Sequence, residues 1–308
     1  MCSIFGIIDY GKYLSKKQRK KLLNALATEA EVRGIDATGI AWVENNKIQI
    51  KKSPKPAHSI KLSFHNKACI VMGHTRMTTQ GSEKKNYNNH PFYGEIPGNP
   101  FALAHNGVIN NDIDLQNMFY LPKTHIETDS YVAVQLLEKN NRISFNTLAM
   151  MAENLEGSYT ITVLSNDETI YFVKGNNPLV IYHIPRIGIY IYASTKAILA
   201  NAWKKMHLKL NTVLLEPMQG EIWSIDVKGT IARSSFDDSN LLVSNYYQGN
   251  HYNGNYNTCN WGGKEDLYLE EIKSMAIMLG HTPESIDMLI EEGFSAEEIE
   301  TFLYYGEI

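Results

Sequence analysis

The chain opens MCSIFGIIDY, with a cysteine directly behind the first methionine and a strand-like apolar run directly behind the cysteine. Once Met1 is removed, Cys2 carries a thiol and a free α-amine on one residue, so a nucleophile and a candidate general base arrive together. Free thiol and α-amine pKa values lie at about 8.5 and about 7.7–8.0, close enough for the amine to take the thiol proton near neutrality, directly or through one water. Alone, Cys2 is equally a small residue at a frayed end. The other cysteines offer no competing chemistry. Cys69, inside ACIVMG, reads as a buried strand residue, and Cys2, Cys69 and Cys259 are too dispersed for a disulfide framework or a paired metal-ligand spacing. No metal site and no cofactor is expected.

Four further segments lift Cys2 out of the ordinary case. RGIDATG at 33–39, GHTRMTTQG at 73–81, HNGVINN at 105–111 and ETDS at 127–130 follow it in order. With Cys2 they resemble the class II glutamine amidotransferase domain, an N-terminal-nucleophile hydrolase. LEGSYTITVL at 155–164, GNNPLVI at 175–181 and ASTKAIL at 193–199 look like that domain's later strands and turns, so the resemblance runs over about residues 2–235.

The resemblance implies an α+β fold, a four-layer αββα sandwich of two facing sheets between helix layers. It implies that Cys2 attacks the side-chain amide of glutamine, releases ammonia and leaves a γ-glutamyl thioester for water to hydrolyse. The oxyanion donors it implies are the Asn106 side-chain amide and the Gly107 backbone N–H, where a missing Cβ lets backbone approach the tetrahedral centre. Arg76 is then expected to grip the substrate α-carboxylate with its planar fork, Asp129 to bind the α-ammonium, and Thr79 to add a hydrogen bond. Arg33 is expected as a structural clamp near Cys2, Asp36 in local hydrogen bonding, and His90 of NNHPF as a loop-ordering donor, with a pocket role as the alternative. The bland readings are a tight turn for Asn106-Gly107, and surface charges or a helix N-cap for Arg76 and Asp129. One departure stands out: Met77-Thr78-Thr79-Gln80 occupies the place where family members often carry Trp-Ala-Thr-His, so the lid over the pocket is expected to close differently.

Elements able to position these residues are legible from periodicity. Ser15 heads a stretch with Leu22, Leu23, Leu26 and Ala30 at helical spacing and Gly34 as a stop, which predicts an amphipathic helix. Its basic run, Lys16 to Lys21, reads as a solvated face. Short strands are predicted at GIAWV, KIQIK, ACIVMG and FALAH, helices at DSYVAVQLLEK and FNTLAMMAENL, and strands again at TITVLS, TIYFVK, LVIYHI and IYIYAS between Asn, Gly and Pro turn signals. This mixed order points to stacked layers rather than a doubly wound parallel sheet. The domain is expected over 2–243, an Asn/Tyr/Gly-rich linker over 244–263 and a small helical segment over 264–308. In that segment Leu267, Leu269, Ile272, Met275, Ile286, Met288, Leu289, Ile290, Phe294, Ile299, Phe302 and Leu303 are more apolar positions than so small a unit hides alone, which suits a cap on the domain or a docking module.

Composition bounds the function. The chain has 308 residues, 44% of them hydrophobic, and a formal net charge of -4, which is ordinary for a globular enzyme and gives no footprint for nucleic acid. No signal-peptide pattern and no membrane-length apolar run is visible, so a cytoplasmic protein with no membrane partner is expected. The stretch after 235 is too short for a synthase domain and carries no P-loop, and no iron–sulfur ligand set is present. The leading expectation is a stand-alone glutaminase that acts on L-glutamine and water and feeds ammonia to a synthase on another chain. The alternatives are a hydrolase of another small amide, or a non-catalytic binding protein acting through its C-terminal helices. The acceptor, the synthase partner and the oligomeric state are not legible.

Overall fold

The computed structural model describes residues 2–241, 272–273, 276, 281–294 and 296–305. Cys259, Leu267, Leu269, Met275, the linker expected over 244–263 and most of positions 264–280 of the expected helical segment lie outside the described residues. The chain divides into two compact units, Met1–Asn245 and Tyr246–Ile308.

Among the described residues of the first unit, thirteen strands form two antiparallel sheets. The seven-stranded sheet runs β11 (Val213–Leu215), β9 (Val180–Ile184), β10 (Ile189–Ala193), β1 (Ser3–Asp9), β4 (Ile70–Arg76), β2 (Ala37–Glu44), β3 (Lys47–Ser53). The six-stranded sheet runs β13 (Ile231–Ser235), β12 (Glu221–Ile225), β8 (Ile170–Lys174), β7 (Gly157–Ser165), β6 (Phe101–Ile109), β5 (Phe92–Gly94). β1 lies between β4 and β10 and is buried along its whole length. A strand with apolar layers on both faces needs a near-continuous apolar run, and SIFGIID supplies one.

Alternation along the strands builds three apolar layers. Phe5 and Ile7 of β1 pack with Leu22, Leu23 and Leu26 of α1 (Lys16–Glu29) and with Ile198, Leu199 and Trp203 of α5 (Lys196–Lys204). Ile4 and Ile8 point the other way and meet Ala102, Ala104 and Phe172 of the second sheet. Beyond that sheet Leu103, Ile161 and Val173 pack on Val132 and Leu137 of α3 (Tyr131–Glu138) and Leu148 and Met151 of α4 (Phe145–Asn154). The result is helix, sheet, sheet, helix, the αββα sandwich. Between the sheets the Tyr192 ring stands edge-on to Phe172, centroids 4.8 Å apart. Gly6 makes the room: a Cβ there would lie 2.5 Å from that tyrosine ring.

Local signals account for the helix ends. Ser15 and Gln18 form a reciprocal capping box on α1, and a 3₁₀ turn over Ala30–Arg33 carries the chain to Gly34. The basic run is not uniformly solvated. Lys16, Lys17 and Lys21 are exposed, but Arg19 is buried, donating from Nη1 to the Ala68 carbonyl at 2.8 Å with Nε 3.5 Å from Asp9 Oδ2. Cys69 is buried and ends the loop before β4 rather than lying in the strand. ASTKAIL also differs from expectation. After Ala193 it turns at Thr195, whose side chain accepts from the Ile198 N–H, and starts α5. A further short helix, α2 (Asp112–Met118), follows β6.

In the second unit α6 (Pro283–Glu291) is capped by Thr282 with proline in its first turn, and α7 is Ala296–Tyr305. Ile272, Ile286, Ile299 and Leu303 are buried, whereas Met288 is 61% exposed and so does not share their burial. No helix among the described residues is long and apolar enough to cross a membrane.

Candidate active site

Cys2 sits one residue ahead of β1, where the register Ser3↔Thr75 sets it beside the end of β4. It is 8% exposed. Its carbonyl accepts from Arg33 Nε at 3.1 Å, and its Sγ–H points to the Met77 carbonyl at 3.5 Å. Arg33, fully buried, therefore holds the main chain at Cys2 and leaves the thiol free of that bond. Burial pushes the thiol pKa up, against the opposing pull of the nearby Met77 bond and Arg76 charge, so the thiol needs a base before it can attack.

Arg76 closes β4 opposite Ala37 of β2. Nη1 donates to Asn89 Oδ1 at 2.7 Å, and Nη2 donates to the Gln80 carbonyl at 2.5 Å and the Gly81 carbonyl at 3.3 Å. The fork expected to meet a substrate carboxylate thus gathers the loop that carries Met77 to Gln80. That loop has other anchors. Asp36 Oδ2 accepts from the Thr78 N–H at 2.7 Å, Lys52 Nζ donates to the Asn89 carbonyl at 2.6 Å, and Asn88 exchanges two hydrogen bonds with Glu127. Burial, with Arg76 beside it, lowers the Lys52 pKa to about 8. Thr79 is exposed on the loop. Asp36 therefore bonds across 42 positions of sequence rather than locally.

Asn106 and Gly107 lie on β6, and the two sheets meet there: His74 Nε2 on β4 donates to the His105 carbonyl on β6 at 2.9 Å. Asn106 is fully buried, and neither Nδ2 nor Oδ1 has a hydrogen-bond partner among the described residues. Its carbonyl accepts from Asn177 Nδ2 at 2.8 Å, and Asn177 Oδ1 accepts from Ser158 Oγ at 2.8 Å. Gly107 has φ +138°, and a Cβ there would lie 1.9 Å from the Ser158 carbonyl oxygen, so only glycine fits. A tight turn is excluded, since both residues are paired in the β6–β7 ladder.

Asp129 is 4% exposed. It precedes Ser130, the N-cap residue of α3, and its carboxylate serves a different strand, Oδ2 accepting the Ile109 N–H at 2.7 Å. The charges of Arg76 and Asp129 both act on the Cys2 thiol, which brings the three residues into one electrostatic neighbourhood. His90 departs from the loop-ordering donor expected of it. Its ring is buried between His74, centroids 4.2 Å apart, and Phe92 at 4.4 Å, and neither nitrogen has a hydrogen-bond partner among the described residues. Burial keeps all three imidazoles neutral, lowering His74 to about 3, His90 well below the ordinary value, and His105 as well.

Sequence reasoning passed over Asn177, Ser158 and Ser130. Asn177 was visible only as turn chemistry in GNNP, and Ser130 as the last letter of ETDS. Among the described residues no group of three or more His, Cys, Asp or Glu side chains is arranged to hold a metal ion. Together the residues offer a buried thiol, an unpaired buried amide, a carboxylate and a guanidinium, the ingredients of nucleophilic attack on an amide bearing charged groups.

Comparison with known proteins agrees with this chemistry. The family described as Glutamine amidotransferases class-II matches residues 23–180, half of the chain. Glutamine–fructose-6-phosphate aminotransferase [isomerizing] of Sulfolobus acidocaldarius is 32% identical over 192 residues, covering 59% of this chain and 31% of that protein. Its namesake from Staphylococcus epidermidis is 30% identical over 244 residues, covering 73% and 39%. The chain thus spans about a third of the length of the curated relatives it matches. The fold is shared with glutamine phosphoribosylpyrophosphate amidotransferase from B. subtilis, with TM-score 0.60 at 19% identity over 76% of this chain and 49% of that one. On the family match and the shared fold, the chain belongs to the class II glutamine amidotransferases.

Proposed function

We propose that the protein hydrolyses the side-chain amide of L-glutamine through Cys2 and delivers the ammonia to a synthase carried on another chain. The observation that carries the reading is Asn106. A buried carboxamide with both polar atoms unpartnered costs about 1–3 kcal/mol, which native folds accept where a ligand completes the bonding.

The free α-amine of Cys2, exposed by removal of Met1, takes the thiol proton, and the thiolate attacks the amide carbon. Asn106 Nδ2 and the Gly107 N–H receive the developing oxyanion, which is worth most in a site this dry. The C–N bond breaks, the proton held by the amine goes to the leaving nitrogen, and ammonia departs from a γ-glutamyl thioester. Water, deprotonated by the same amine, hydrolyses the thioester to glutamate and restores the thiol. Asp129 binds the substrate ammonium, and Thr79 lies on the exposed loop above the pocket. Arg76 Nη1 and Nη2 are held by the loop, so a substrate carboxylate reaches this guanidinium by displacing the Gln80 and Gly81 carbonyls, and the loop rearranges on binding. Arg33, Asp36 and His90 shape the surroundings without touching substrate.

Ammonia release from L-glutamine, L-asparagine and glutaramate, with the intact mass of the purified chain, tests the reading. Release from L-glutamine that vanishes in Cys2→Ala supports it. No release, or release untouched by Cys2→Ala, overturns it.

A further inference from the structure

We infer that Ser130 and His105 are positioning residues for Asp129, a buried relay that fixes its carboxylate to receive the α-ammonium of the substrate. The inference rests on the glutamine reading above and adds two residues to it.

Ser130 is the residue at which α3 starts, yet its hydroxyl makes no capping bond to the helix. A serine at that position ordinarily accepts from an N–H of the first turn, which stabilises a helix by about 1 kcal/mol. Here the hydroxyl is committed elsewhere, 3.2 Å from Asp129 Oδ1 and 2.8 Å from His105 Nδ1. An ionised carboxylate only accepts, so the hydroxyl proton goes to Asp129, and Ser130 Oγ accepts the Nδ1–H of His105. The imidazole is neutral by burial. Asp129 and the Ser158 carbonyl favour its charged form, the latter without closing a hydrogen bond to Nε2.

Both carboxylate oxygens are therefore held from the protein side, Oδ1 by Ser130 and Oδ2 by the Ile109 N–H, and each keeps a lone pair for a further donor. A carboxylate fixed beforehand loses no rotational freedom when an ammonium arrives. The far end of the relay is as firm, because the His105 carbonyl accepts from His74 across the two sheets. His105 directly precedes Asn106 in the chain. The relay thus ties the anchor for the ammonium to the residue that faces the reacting amide, setting the distance between the two ends of an α-amino acid amide.

The test compares steady-state ammonia release from L-glutamine by the full chain carrying wild-type sequence, Ser130→Ala, Ser130→Thr or His105→Phe. Ser130→Ala is expected to raise KM about tenfold with kcat within about threefold, since a relay on a binding group acts on affinity rather than on the chemical step. Ser130→Thr, which keeps the hydroxyl, is expected to restore KM. His105→Phe removes the relay from its other end and is expected to raise KM likewise, which keeps the test decisive if Ser130→Ala does not fold. Unchanged KM in either disabling variant, or a loss of kcat with KM unchanged, overturns the relay while leaving the glutaminase reading intact. A wild-type chain that releases no ammonia from L-glutamine overturns both.

Discussion

Replacing Asn106 by alanine is expected to separate catalysis from stability. The side chain is fully buried and makes no hydrogen bond among the described residues, while the main chain, which alanine retains, accepts from Asn177 and pairs with β7. Removing it relieves an unsatisfied polar group worth about 1–3 kcal/mol. It also opens a small cavity, at a cost of about 24 cal/mol per Å³ of space that does not collapse. For a side chain this size the cavity costs about 1 kcal/mol or less, so the variant is expected to be as stable as the parent, or more stable by up to about 2 kcal/mol. The catalytic loss expected from the proposed oxyanion role is larger. One oxyanion donor supplies about 2.7–4 kcal/mol of transition-state stabilisation, so kcat should fall about 10²–10³-fold with KM little altered. Urea unfolding and steady-state ammonia release on the same preparation measure both quantities. A variant that loses more than about 2 kcal/mol of stability while keeping its kcat would show that Asn106 is a structural residue, and the reasoning from its unpaired amide would fail.

Cys2→Ser should fold as the parent does, because the Arg33 bond is to the main chain, yet turn over far more slowly, since a hydroxyl ionises far less readily than a thiol near neutrality. Intact mass spectrometry of active protein should show Met1 absent, and full activity from wholly Met1-retaining chains would refute the amine as base. Gly107→Ala places a methyl group 1.9 Å from the Ser158 oxygen at φ +138°, so a loss of stability of more than about 2 kcal/mol is expected in thermal or urea unfolding. Acid should destabilise the fold early. His74, His90 and His105 have folded pKa values below their unfolded ones, so the unfolded chain binds more protons and stability drops as pH falls below about 6.5, by up to about 1.4 kcal/mol per pH unit for each imidazole. For His74 the loss continues down to about pH 3, and urea titrations that are flat from pH 6.5 to 5.5 would contradict the buried neutral cluster.

Much of this was legible in the sequence because local and global signals agreed. Ser15 ahead of Leu22, Leu23, Leu26 and Ala30 at helical spacing announces α1, and the apolar run behind Cys2 announces a strand, as the structure has them. ASTKAIL misled because β-strand and helix abut there: Ala193 ends β10, and the N-cap Thr195 lies only two residues later, so the apolar residues beyond it belong to a different period. The bonds of Arg76 were not legible, since charge and planarity suit a carboxylate and a cluster of loop carbonyls equally. His90 was misread for a related reason. A polar type in an Asn-rich loop suggests a donor, but the ring is buried against His74 and Phe92, an arrangement set by contacts distant in sequence. Asn177 and Ser158 meet through the pairing of strands and turns, which no spacing in one segment reveals.

The bond from Arg33 to the carbonyl of Cys2 fixes where the proposed nucleophile can go. With Ser3 already paired to β4 and the Cys2 carbonyl clamped, the backbone at Cys2 is a stationary bearing, and the sulfur is a rotor with one axis, the Cα–Cβ bond. Its resting stop is the Met77 carbonyl. An attack is then a single turn away from that stop toward whatever lies in the pocket. Alterations to the loop from Met77 to Gln80 would move that stop, and with it the direction in which the sulfur rests, without displacing the Cα of Cys2.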